Sequence, residues 1–167
     1  MITITHNKPP KIQGMIIAGF LLLCMACAHT DTFSEFHSFP EIEWKQSEIV
    51  RFEAPVSDTS NLYNLFIEIR NNNQYPFANL WLFIDVKMPD GTVRSDTIEI
   101  SLADVYGKWK GTGIGTYSLS HLFKEKFQYP DTGTYVYTIR QGMRSEVLNG
   151  ISEVGLRIET VHSSNTQ

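Results

Sequence analysis

Cysteine is nearly absent from this chain. Its 167 residues hold two, Cys24 and Cys27, and none follows. Everything downstream of residue 27 must therefore be held by its core rather than by disulfides. Basic clusters are missing too. The formal charge is −4, and the densest basic spot, around Lys108 and Lys110, holds two lysines. Phosphate backbones need more, so nucleic acid is not an expected partner. No apolar run approaches the roughly 20 residues of a bilayer span; Met15–Met25 is an 11-residue run. Histidines are sparse and scattered: His29, His37, His121 and His162 show no H-x-x-x-H spacing, so no metal site is expected. His121 reads as a surface histidine. Asp90 and Asp131 fall in turns, where aspartate bonds its own backbone, and do not read as an acid pair. The glycines of "GTGIG" (Gly111 to Gly115) lack the Lys-Ser/Thr of a phosphate loop and instead suit a bulge or a tight turn. No cofactor and no catalytic residue is expected.

The first 26 residues carry Lys8 and Lys11 and no acid, and all 18 acidic residues follow them. A basic start and a short apolar run form a signal peptide, residues 1–26. "CMAC" has redox spacing, but a redox or metal pair needs a folded setting or further ligands. Ala26 before Cys27 fits a lipobox better, with cleavage between them and lipid on Cys27; ordinary secretory cleavage is the alternative. Cys24 stands where leucine is more usual. Removing the leader leaves 12 basic against 18 acidic residues, a charge of −6. Residues 27–43 then read as the lipidated N-terminus and a tether, 44–161 as one domain, and 162–167 as a polar tail. Membrane lipid through Cys27 is the first expected partner.

From Glu43 onward the pattern is strands and turns. "EIVRFEA" places Val50, Phe52 and Ala54 on one face, and Pro55 ends it. "LYNLFIEIR" aligns Tyr63, Leu65, Ile67 and Ile69; "LWLFIDVK" aligns Leu80, Leu82, Ile84 and Val86. Asp90-Gly91 marks a turn. "TIEISL", "DTGTYVYTIRQ" and "GISEVGLRIET" continue the alternation, while "HLFKEKFQYP" fits a strand or a helical turn equally. Seven or eight short strands, each with one apolar face, predict an all-β, two-sheet β-sandwich, Ig-like or jelly-roll-like, with a small barrel as the alternative. Tyr135 after "DTG" resembles the tyrosine that bonds back to a neighbouring loop in Ig-like sandwiches.

Phe66, Trp81 and Phe83 lie opposite the regular apolar rows, interleaved with Glu68, Arg70, Asp85 and Lys87. If these two strands pair, the rings form one contact patch for a protein or a glycan. A loop such as "KWKGTGIG" folding over them is the alternative. Trp109, beside that loop, is a fourth candidate contact.

Several strings in one order carry a family resemblance: "YNLFIEIRNNNQYPFANLWLFI", "PDG" with "DTIE", "GKWKGTGIG", "YPDTGTYVYTIRQGMR" and "GISEVGLRIE". From about Phe33 to Glu159 the chain resembles the GldH gliding-motility lipoproteins of the Bacteroidota. The resemblance implies an envelope lipoprotein lipidated at Cys27, without catalytic residues. It implies work beside other envelope lipoproteins of the gliding and type IX secretion machinery, at the outer membrane facing the periplasm. A lipid-anchored carbohydrate-binding module is the alternative.

Overall fold

The computed structural model describes residues 31–161. Ten strands fill most of this span. They are β1 (Asp31–Ser38), β2 (Glu43–Lys45), β3 (Val50–Val56), β4 (Tyr63–Asn72) and β5 (Asn79–Lys87), then β6 (Val93–Ser101), β7 (Thr116–Phe127), β8 (Gly133–Gln141), β9 (Val147–Asn149) and β10 (Ile151–Thr160). Sheet 1 runs β1-β10-β4-β7 and sheet 2 runs β3-β8-β5-β6, all antiparallel; β2 and β9 form a separate short ribbon. The architecture is the two-sheet β-sandwich that the alternation predicts.

The apolar rows explain why the sheets pack. Leu65, Ile67 and Ile69 of β4 and Leu80, Leu82 and Ile84 of β5 are essentially inaccessible to water, and they share one core with β3, β8 and β10. Each fully buried aliphatic side chain contributes about 1.5–3 kcal/mol of transfer free energy, so these rows are the main favourable term. Tyr129 and Tyr137 bring hydroxyls into the same interior and satisfy them mutually at 2.8 Å. Tyr135 is buried, and its hydroxyl donates to the Asp131 carbonyl at 3.0 Å, the back-bond expected from "DTGTY".

The two ends of the sandwich differ in what they carry. One end, the root, holds the start of β1, where Asp31 pairs with Glu159, together with the start of β4 and the end of β10. The other, the crown, holds the β4–β5 connection, the long segment between β6 and β7, and the β2–β9 ribbon.

Two expectations are corrected and one open alternative is resolved. Residues 31–38 are not tether but an edge strand that pairs with β10, and Phe39 just beyond is buried against Trp44, ring centroids 5.2 Å apart. Pro55 does not end β3; it pairs with Thr134 inside the strand. That is tolerated because β3 is an edge strand, and the missing N–H faces no neighbour. "HLFKEKFQYP", residues 121–130, open between strand and helical turn, supplies through Phe127 the second half of a 12-residue edge strand, β7. The signal peptide, Cys27 and the tail 162–167 lie outside the described residues.

Candidate contact surface

The two strands carrying the outward rings do not pair. β4 lies in sheet 1 and β5 in sheet 2, so Phe66 sits on the opposite outer face from Trp81 and Phe83. The single patch is therefore two surfaces. The cause is the six residues 73–78, which cross from one sheet to the other instead of closing a hairpin. Tyr75 is buried within this crossing, and its hydroxyl donates to the Asn79 carbonyl at 2.8 Å.

On sheet 1 the outward residues of the two interior strands, β10 and β4, are covered, whereas Phe36 on β1 and Leu122 on β7, the edge strands, stay 43% and 42% exposed. Arg157 of β10 lies over the Phe66 ring, 4.2 Å from its centroid, and its Nε donates to Glu68 Oε1 at 2.8 Å. Ser120 of β7 donates to the other Glu68 oxygen at 2.6 Å. Glu68 is buried although it faces outward, and Arg157 also pairs with Glu159. Farther along, Arg70 pairs with Glu153 at 2.7 Å and lies 5.1 Å from the Phe36 ring centre. Gly155 leaves room for Phe36 to lie flat there, since a Cβ would meet its ring at 2.6 Å.

On sheet 2 the exposed rings lie on an interior strand, β5. Trp81 and Phe83 are 39% and 42% exposed. Arg140 lies across from Phe83 in register but reaches to Asp85, 2.8 Å away. Gly142 follows, donating its N–H to the Trp81 carbonyl at 2.7 Å; a Cβ there would press on Phe83 at 3.0 Å. Beside Trp81 is a shallow depression of about 390 Å³ lined also by Phe77, Asn79, Met143 and Arg144. Sequence reasoning missed Phe77, Met143 and Arg144 because they lie in connections, where no period marks a face. Ile49, 56% exposed just before β3, adds apolar surface. Aromatic and apolar side chains left open beside arginine suit a protein interface or the apolar face of a sugar.

Trp109 belongs to neither face. It sits half-buried at the crown between Tyr75 and Tyr117, with ring centroids at 6.4 and 5.9 Å, and its Nε1 donates to Asn73 Oδ1 at 2.9 Å. Within "KWKGTGIG", Trp109 is thus the side chain that packs on the crown aromatics, while Ile114 is fully exposed.

Several of the remaining polar groups are committed to structure. Thr92 donates twice to the Asp90 carboxylate, and these bonds hold its pKa below the usual value. His121 pairs with Ile67 in register, and partial burial lowers its pKa. Burial also pushes the hydroxyls of Tyr75, Tyr129 and Tyr137 up. Among the described residues, no three His, Cys, Asp or Glu side chains converge as a metal site would require.

The sequence model of the GldH lipoprotein family matches residues 31–158, the whole sandwich. The chain belongs to the GldH lipoprotein family. A relative from Christiangramia forsetii, described as a gliding motility lipoprotein GldH homolog, is 37% identical over 147 residues, 83% of this chain and 90% of the relative. The gliding motility lipoprotein GldH of Flavobacterium johnsoniae is 34% identical over 157 residues, 89% and 96% of the two chains. Among solved structures, a chain from the infectious bursal disease virus Gx strain aligns at 14% identity with a TM-score of 0.29. That alignment covers 81% of this chain but 34% of the viral one.

Proposed function

We propose that this GldH-family chain is a non-enzymatic lipoprotein, anchored through Cys27 at the outer membrane and facing the periplasm. There it acts as a structural or assembly component of the gliding-motility and type IX secretion machinery. Family membership supports the process. The observation that carries the role is the exposed pair Trp81 and Phe83 beside the depression at Met143 and Arg144. Buried aromatic and arginine anchors are the side chains that dominate protein interfaces once desolvated.

The test is an affinity pull-down of tagged full-length protein from detergent-solubilised envelopes, with recovered proteins identified by mass spectrometry. The expected result is a recurring set of gliding or secretion envelope proteins. That set is diminished by Trp81→Ala and Phe83→Ala while folding is unchanged, and it weakens with Cys27→Ala. Recovery unaffected by both ring truncations would move the interface elsewhere. The same open rings favour one second reading, a lipid-anchored carbohydrate-binding module. A pull-down empty of protein partners, with saturable binding of cell-envelope glycans lost in Trp81→Ala, would replace the first reading by the second.

A further inference from the structure

The most exposed large apolar side chains of the described residues are not on either sheet. They are Val105 and Tyr106, each 92% exposed, and Ile114, fully exposed, all at the crown between β6 and β7. Apolar residues scattered singly are ordinary surface, but several gathered at one end of a domain mark an interaction site. These are not loose. Two consecutive tight turns present them. In the first, Asp104 Oδ1 accepts the N–H groups of Tyr106 and Lys108, each at 2.9 Å, and the Asp104 N–H donates to the Lys108 carbonyl at 2.9 Å. In the second, Thr112 and Ser118 exchange both backbone hydrogen bonds at 2.9 Å. Gly113 has φ +141°, and a Cβ there would strike the Thr116 carbonyl oxygen at 2.0 Å, so the turn admits glycine alone. Trp109 closes the first turn against Ala103, Tyr117 precedes the closing residue of the second, and their rings lie 5.9 Å apart. The tips are thereby preorganised, which reduces the ordering cost of docking.

Charge narrows the partner. The turns carry Lys108 and Lys110, both exposed, on a chain of net charge −4. Their acid, Asp104, is engaged by its own turn, and those bonds lower its pKa. Position narrows it further, given the anchoring proposed above. Cys27 precedes Asp31 by four positions, a reach of about 14 Å at full extension. Asp31 lies at the root, and the ten residues of β4 separate root from crown, about 33 Å at 3.3 Å per residue. An anchor at Cys27 would thus tether the root and leave the crown as the untethered end.

We propose that these two turns are a docking knob for a partner protein: Val105, Tyr106 and Ile114 enter an apolar pocket, and Lys108 and Lys110 pair with carboxylates on its rim. This rests on the proposed anchoring at Cys27 and names a partner surface distinct from the exposed rings of sheet 2.

A photoreactive side chain in place of Tyr106, in the full-length chain in cells, tests it. The expected result is a discrete protein adduct whose crosslinked peptide carries Asp or Glu beside apolar residues. Its yield falls at least about fivefold, the loss of one or two interface contacts, when Lys108→Glu and Lys110→Glu are added together. It falls similarly with Ile114→Asp, and thermal melting does not change. Adducts to phospholipid alone, no protein adduct, or a protein adduct indifferent to both changes would overturn the knob. Anchoring is read separately by membrane fractionation of Cys27→Ala. A chain that stays with the membrane in that variant refutes the anchor, and the knob is then judged by the adduct alone.

Discussion

The two outer faces of the sandwich begin from almost the same sequence and end differently. β4 presents Phe66, Glu68 and Arg70; β5 presents Phe83, Asp85 and Lys87. Both strands lie inside their sheets, and both phenylalanines have an arginine across the register, Arg157 and Arg140. On sheet 1 that arginine lies over the ring and clasps the longer Glu68, leaving the paired side chains 18% and 10% exposed. On sheet 2 it reaches to the shorter Asp85, and the pair stays 43% and 29% exposed. An aromatic–acid alternation thus does not define a contact face by itself. What decides is whether the neighbouring cation covers the ring or passes beside it.

The largest test of this contrast is stability. Arg157→Ala strips the cover from Phe66 and leaves Glu68 buried without its cation, so a loss of about 3 kcal/mol is expected in urea unfolding. Arg140→Ala breaks a wetter pair and is expected to cost about 1 kcal/mol or less. Arg140 Nε is itself buried without a hydrogen-bond partner, so truncation also removes an unsatisfied group, offsetting part of that cost. Equal losses would erase the distinction between the faces.

A middle-sized effect separates packing from binding. Phe66→Ala should cost about 1–2 kcal/mol of stability and leave envelope partners in place. Trp81→Ala and Phe83→Ala should each cost about 0.5 kcal/mol and reduce partner recovery. The reverse assignment would exchange the roles of the two faces. The smallest effect lies between the faces, at His121 on β7. Its folded pKa lies below the usual 6.5 because of burial, so the unfolded chain takes the proton first. That contribution is intact above pH 6.5 and is lost as pH falls through the folded pKa. His121→Gln should flatten the acid side of a melting-temperature profile, and an unchanged slope would assign it to other groups.

Much of the sandwich is legible in the sequence because β3, β4, β5, β6 and β8 keep a two-residue period, and β10 keeps it from Val154 onward. The strands that are not legible break that period for physical reasons. In β1, Phe33 and Phe36 are three apart and so fall on opposite faces; as an edge strand it is stabilised by pairing with β10 rather than by a full apolar row. In β7, Phe123 and Phe127 stand four apart, a helical spacing. A strand also puts residues four apart on one face, so the spacing does not choose between the two; both pack on the core, in a stretch with register shifts opposite Leu65 and Lys126 at φ +48°. The candidate surface was half legible. That Trp81 and Phe83 point outward follows from β5 alone. That Phe66 is covered depends on Arg157, 91 residues farther along, and that it faces the other way depends on a crossing that a six-residue connection does not announce.

The pairing of β1 with β10 also fixes how the domain would carry force. Register holds from Phe33 to Ser38 against Ile158 to Glu153. A pull entering at Asp31 and resisted at the crown runs parallel to these strands, while their hydrogen bonds lie across the pull. The bonds are then sheared together instead of unzipped in turn, so a strand of eight residues at the edge of the sheet acts as a mechanical handle.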